Sequence, residues 1–157
     1  MSIVPDLSEL AASLPQKSAL LGLDLGSKTI GVAVSDMGRQ IASPLALIRR
    51  SQFAKDAASL FKFAAAHGAA GIIIGLPLNM DGSEGPRVQA TRAFSRNLAM
   101  LTEMPIGYWD ERLSSAIVER TLIEADRSRA RRAELIDKLA ATYILQGALD
   151  RLARINA

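Results

Sequence analysis

From Leu20 the chain alternates: Leu21, Leu23 and Leu25 fall on one face of an extended segment, while Leu20, Gly22, Asp24 and Gly26 fall on the other. The pattern predicts a strand over 20–25, a Gly-Ser-Lys-Thr turn, a second strand over Ile30 to Ser35, a turn at Asp36 to Arg39 and a third strand near Ile41 to Ile48. A helical segment from Phe53 to His67 stops at Gly68, and the β-branched run Ala70 to Ile74 reads as a buried strand. The loop Gly75 to Gly85 leads to a helix from about Pro86, with Val88, Phe94, Leu98 and Leu101 at roughly helical spacing, and Pro105 opens a strand to Trp109. Ser114 or Ser115 can cap a helix to about Ala125, an arginine-rich segment interrupts it, and an amphipathic helix covers Glu134 to about Leu152. The order β-β-β-α-β-α-β-α-α predicts an α/β fold: a mixed five-stranded sheet, three antiparallel strands then two βα units, flanked by helices. Residues 1–18, with Pro5, Pro15 and a short helix near Leu7 to Leu14, read as an N-terminal appendage to a single domain over 19–157.

The chain has 157 residues, 49% of them apolar, enough for one ordinary core. There is no cysteine and one histidine, which excludes a disulfide scaffold, a thiol nucleophile and a Cys/His zinc site. That histidine, His67, stands beside Gly68 at a helix end and reads as part of the cap, as Trp109 reads as core. No apolar run approaches the roughly 18 residues that cross a bilayer, and the start lacks a signal-peptide pattern, so a cytoplasmic protein with no membrane partner is expected. The net charge of +3 says little by itself. Arg127, Arg129, Arg131 and Arg132 lie close together, with smaller foci at Arg49/Arg50 and Arg92/Arg96; these fit phosphate contacts or a solvated linker equally well.

Polar chemistry must therefore come from carboxylates. Asp24 interrupts an apolar central strand, where an acid costs several kcal/mol unless it is hydrogen-bonded, paired or bound to a cation. Gly22 and Gly26, on the same face, are expected to leave room for a metal ion or a phosphate. Asp110-Glu111-Arg112 follows the strand that ends at Trp109, where α/β proteins carry functional groups. Glu111 shares the parity of Gly107 and Trp109, Asp110 that of Ile106 and Tyr108, so one acid faces the site and the other serves the turn; the residues leave open which. In the last helix Asp137, Ala140, Ala141, Ile144 and Ala148 share a face, and the alanines permit close approach to the sheet. Three acids from two strands and a helix suit Mg²⁺ or Mn²⁺, and two such ions about 3.5–4 Å apart would support phosphodiester hydrolysis with Asp24 shared between them.

Four segments carry a resemblance. Leu23-Asp24-Leu25-Gly26-Ser27-Lys28-Thr29-Ile30-Gly31-Val32-Ala33, Gly75-Leu76-Pro77-Leu78-Asn79-Met80-Asp81-Gly82-Ser83, Asp110-Glu111-Arg112-Leu113-Ser114 and Asp137-Lys138-Leu139-Ala140-Ala141 resemble, in order, the YqgF family. That family is described as Holliday junction resolvases and as nucleases of the 5′ end of the small-subunit ribosomal RNA precursor. The resemblance spans about Leu20 to Leu152 and implies an RNase H-like fold, with catalytic and metal-binding roles for Asp24, Glu111 and Asp137. It thereby favours Glu111 over Asp110. Substrate contacts are expected at Lys28, Asn79, Asp81, Arg112, Arg127, Arg129, Arg131 and Arg132, although Asn79-Met80-Asp81-Gly82-Ser83 also reads as turn chemistry.

The implied partner is nucleic acid, structured RNA before branched DNA, since few aromatics are present for base stacking. A monomer or weak homodimer is expected; a junction resolvase would act as a dimer. Two rival readings follow from the same residues. Asp-Leu-Gly-Ser-Lys-Thr resembles the phosphate loop of actin-like ATPases, which need two such domains, and a non-catalytic ribosome-assembly factor would keep the acids for structure.

Overall fold

The computed structural model describes residues 3–113 and 129–155, and of 129–138 only the course of the backbone. The elements are α1 (Leu7–Ser13), β1 (Ala19–Leu25), β2 (Thr29–Ser35), β3 (Ala42–Arg49), α2 (Phe53–His67), β4 (Ala69–Leu76), α3 (Pro86–Ala99), β5 (Ile106–Asp110), a 3-10 turn over Glu111–Leu113, and α4 (Arg129–Ile155). One sheet runs in the order β3-β2-β1-β4-β5. The first three strands are antiparallel neighbours, and β4 and β5 add in parallel, which is the mixed sheet expected.

β1 lies at the centre and all seven of its residues are buried. Covered on both faces, it must be apolar or glycine, and its alternation divides the core in two. Leu21, Leu23 and Leu25 pack with Ile72 and Ile74 under Leu60 and Ala64 of α2 and Phe94 and Leu98 of α3. On the opposite face Leu20, Ala33, Ile73 and Trp109 pack under Ala141, Ile144, Leu145, Ala148 and Leu149 of α4. Each of these leucines and isoleucines contributes about 1.5–3 kcal/mol when fully buried.

β3 is shifted by one residue from the sequence reading and α4 begins at Arg129 rather than Glu134, while α2 ends as expected on Gly68 in the left-handed conformation (φ 66°). The stretch Arg129 to Ala133 is arginine and alanine, both strong helix formers with no breaker among them, so it extends the helix instead of interrupting it. The helix expected from Ser114 or Ser115 to Ala125 lies outside the described residues, as does Arg127.

The N-terminal segment docks on the same core. Ile3 bridges Ile106, the Val4 N–H donates to the Ile106 carbonyl at 2.9 Å, and Leu10 of α1 is fully buried in the α4-side cluster. Arg39 Nη1 donates to the carbonyls of Pro15 (3.2 Å) and Ser18 (2.9 Å), tying the segment's end to the β2–β3 turn.

Candidate active site

Asp24 is 7% exposed on the α4 side of β1. The next side chain on that face is absent, and the reason is packing: a Cβ on Gly22 would stand 2.6 Å from Leu145 Cβ and 3.1 Å from the Ala141 carbonyl oxygen. The space left by Gly22 is therefore filled by α4, not available to an ion or a phosphate, which corrects the reading of that glycine. Gly26 lies in the turn after β1, where its N–H donates to the Thr29 carbonyl at 2.9 Å and a Cβ would stand 3.1 Å from that oxygen.

Across the ladder Leu23 pairs with Ile74, so Asp24 borders Gly75, and Gly75 in turn pairs with Trp109 of β5. A Cβ on Gly75 would lie 2.5 Å from Ile144 Cδ1 and 3.3 Å from Glu111 Cδ. Glu111, 8% exposed, thus turns its carboxyl to the α4 face, while Asp24 reaches the same row from the other side of Gly75. Trp109 is core, as its parity requires: its indole packs where a Cβ on Gly147 would come within 2.7 Å of the ring. The indole N–H, buried in that contact, has no hydrogen-bond partner among the described residues.

Asp110 serves the turn. Its carboxylate accepts from the Arg112 backbone N–H (3.0 Å) and from the guanidinium Nε (3.0 Å) and Nη2 (2.7 Å). The Arg112 guanidinium holds the Asp110 carboxyl below the usual aspartate range, with burial opposing it. Arg112 Nη1 also donates to the Met80 carbonyl at 3.2 Å, so one guanidinium joins the β5 turn to the Gly75–Gly85 loop. Within that loop Asn79 Nδ2 donates to Ser83 Oγ at 2.9 Å, and Asp81 accepts from the Ser83 N–H at 2.9 Å and hydroxyl at 2.6 Å. Those Ser83 bonds, the hydroxyl first, lower the Asp81 carboxyl below its ordinary value. Asn79, Asp81 and Arg112 are thus brought together, and their described contacts shape the loop. Lys28 stands exposed on the β1–β2 turn, at the carboxyl end of the strand that bears Asp24. The backbone of α4 runs through Arg129, Arg131, Arg132 and Asp137; their side chains lie outside the described residues.

The family model described as "RuvX: Holliday junction resolvase" matches residues 18–151. The chain belongs to the RuvX family. The motif resemblance and the enzyme class, a nuclease, both stand on that membership. A relative from Rhodobacter capsulatus, named "Putative pre-16S rRNA nuclease", is 61% identical over 98% of this chain and 97% of its own length. One of the same name from Cereibacter sphaeroides is 63% identical over 93% of this chain and 91% of its own. Among solved structures, Thermus thermophilus RuvC in complex with a Holliday junction substrate aligns at TM-score 0.53 and 11% identity, over 86% of this chain and 96% of that one. The yeast mitochondrial Holliday junction resolvase Ydc2 aligns at 0.50 and 13% identity, over 96% and 85%. These two likenesses show the fold shared by the RuvX chain and the RuvC-like resolvases, which is the RNase H-like fold expected.

In the RuvX-family chain the donor chemistry fits a hard divalent cation. Two buried carboxylates flank one position, Gly75, at which any larger residue would crowd Glu111. Oxygen donors held this way match what Mg²⁺ or Mn²⁺ prefers. Sequence reasoning missed Gly75 as a spacer because it ended the strand at Ile74 and opened the loop at Gly75, whereas β4 runs on to Leu76 and carries Gly75 under α4.

Proposed function

We propose that this RuvX-family chain is a cytoplasmic, metal-dependent endonuclease that hydrolyses phosphodiester bonds at the 5′ end of the 16S ribosomal RNA precursor. The observation that carries the reading is the pair of buried acids, Asp24 and Glu111, flanking Gly75 at the carboxyl end of the central strands. The name borne by relatives about 60% identical over nearly their whole length supports ribosomal RNA as substrate. Among the described residues no helix is long and apolar enough to cross a membrane.

Asp24 and Glu111, together with Asp137, are assigned to hold one or two Mg²⁺ or Mn²⁺ ions. When bound, such ions lower the pKa of a coordinated water and neutralise charge developing on the phosphate. The protein's part is positional. α4, seated on Gly22 and Gly75, closes the sheet face beside Asp24 and Glu111, and both acids stand at the carboxyl end of their strands. Arg112 fixes Asp110 to the turn and so leaves Glu111 to face the site. Lys28, Asn79, Asp81, Arg112, Arg127, Arg129, Arg131 and Arg132 are assigned to substrate contact. Residues 1–18 are assigned as an appendage to a domain over 19–157, acting as a monomer or weak homodimer.

A second reading, resolution of four-way DNA junctions, is favoured by the description of the family model. Labelled precursor RNA and a synthetic four-way junction, each with Mg²⁺ or Mn²⁺, are to be incubated with wild type and Asp24→Asn. Metal-dependent cutting of the RNA by wild type alone is expected. Cutting of the junction in preference would shift the substrate to DNA. Binding without cutting by wild type would leave an assembly factor instead.

A further inference from the structure

On the face of the sheet opposite α4, at the end of β1 that bears Asp24, a cleft of about 570 Å³ opens between the β1–β2 turn and the first turns of α3. Among the described residues its walls carry three cations, Lys28 of the turn, Arg50 just after β3 and Arg87 in α3, and no acid. These come from three separate parts of the chain, so only the fold brings them together. The two ion pairs among the described residues, Arg92–Glu84 and Arg112–Asp110, use none of the three.

Arg50 is held in place from two sides. Its Nη1 donates to the Gly26 carbonyl at 2.7 Å, its backbone N–H donates to the Lys28 carbonyl at 2.8 Å, and its guanidinium lies 5.4 Å from the centre of the Phe94 ring. One of its five N–H donors is thereby used and the head is fixed at the cleft wall. Three like charges around one opening, with no acid in the wall, create a field that concentrates anions.

Position identifies the anion. The cleft begins at Leu25, the residue after Asp24, and its far wall is Arg87, two residues into α3 from Gly85, where the loop that starts at Gly75 ends. Acids and cations therefore share one end of the sheet. Leu25 follows Asp24 directly in β1, so a strand with one phosphate over Asp24 and Glu111 runs on past the β1–β2 turn toward the cleft.

We infer that Lys28, Arg50 and Arg87 form a binding site for a backbone phosphate of the substrate strand next to the one that is cut. The inference rests on the nuclease reading above. Among the described residues no aromatic side chain lines the cleft, so contact is through charge, which positions a strand without reading its bases.

The test is equilibrium binding of two single-stranded RNA oligonucleotides of unrelated sequence, in EDTA so that nothing is cut, across a salt series. Wild type is compared with Lys28→Ala, Arg87→Ala, the double variant, Arg87→Lys, and Lys62→Ala, a control on exposed α2. Arg50 is left intact because it also holds the turn. Circular dichroism checks folding, and both arginine variants alter an exposed side chain. The double variant is expected to reduce the slope of log K against log salt by about 0.7, equally for both sequences, because one phosphate contact is lost, and each single alanine to reduce it by part of that. Arg87→Lys is expected to keep the slope, and Lys62→Ala to follow wild type.

Unchanged slopes in Lys28→Ala and Arg87→Ala, while wild type binds and cuts, would overturn the cleft assignment and leave the nuclease reading standing. Wild type that neither binds nor cuts would overturn both. AMP at matched ionic strength supplies the second arm. It is expected not to displace the strand; displacement at equal phosphate concentration would make the cleft a mononucleotide site and overturn the inference.

Discussion

The carboxyl carbon of Glu111 stands 3.3 Å from the place a Cβ would occupy on Gly75. The same position is 2.5 Å from Ile144 Cδ1, so one absent side chain admits both the helix and the acid. Gly75→Ala is expected to destabilise the fold by about 1–3 kcal/mol, the usual cost of overpacking a filled core. It is also expected to reduce cleavage beyond the loss of folded protein. Gly22→Ala, which crowds only Leu145 and Ala141, should show the stability loss with a smaller effect on cleavage per folded molecule. Urea denaturation and single-turnover cleavage of both variants check the contrast, and equal specific activities would count against Gly75 as a spacer for Glu111.

Two adjacent acids should behave differently. Glu111→Gln is expected to lower cleavage by about 100-fold or more, since a metal-bound site supplies several kcal/mol to the transition state and each 1.36 kcal/mol is tenfold. Asp110→Asn, which disturbs the Arg112 clamp and leaves Glu111 in place, should lose less than about tenfold. Cleavage rates under saturating metal decide it; the reverse order would give Asp110 the role assigned to Glu111.

The clamp has a pH signature. Arg112 lowers the Asp110 carboxyl, so the folded state binds a proton there less readily than the unfolded chain does. Its stabilisation is therefore full above the unfolded aspartate value of about 3.9 and is lost as pH falls through the lower folded value. Because the pair is partly exposed to solvent, the gain is a few tenths to about 1 kcal/mol. Wild type should exceed Asp110→Asn by that amount at neutral pH in urea denaturation, with the difference vanishing in strong acid. A difference that persists or grows in acid would mean the clamp is not electrostatic.

Leu10 belongs to the N-terminal segment yet is fully buried against the α4-side cluster. Leu10→Ala is expected to cost about 2–5 kcal/mol, as for other large-to-small core changes. A loss under about 0.5 kcal/mol, typical of surface positions, would show that the segment adds nothing to the core. Thermal or urea unfolding measures it directly.

Much of the sheet was legible because β1 states its own geometry. Leu21, Leu23 and Leu25 on one face, and Leu20, Gly22 and Asp24 on the other, are a two-residue period that any covered strand would show, and both core clusters follow it. The parity of Trp109 and Glu111 was equally plain, but which parity faced α4 was not. That choice rests on the register Gly75 to Trp109 and on the contact of Trp109 with Gly147, both between residues far apart in the chain. The arginines from Arg129 to Arg132 were misread as a break because a run of charge resembles a linker, whereas their helix propensity prevailed.

By itself the sequence determined the element types, the mixed sheet, the family and the lone acid in a central strand, because periodicity, turn residues and motif order are local properties of the chain. Only the tertiary structure decided what the glycines are for. Gly22 yields to Leu145, Gly75 yields to Ile144 and Glu111, and Gly26 joins a cleft with Lys28, Arg50 and Arg87. A missing Cβ records that something comes close, but the identity of the neighbour is set by packing between segments distant in sequence, and no local pattern encodes that.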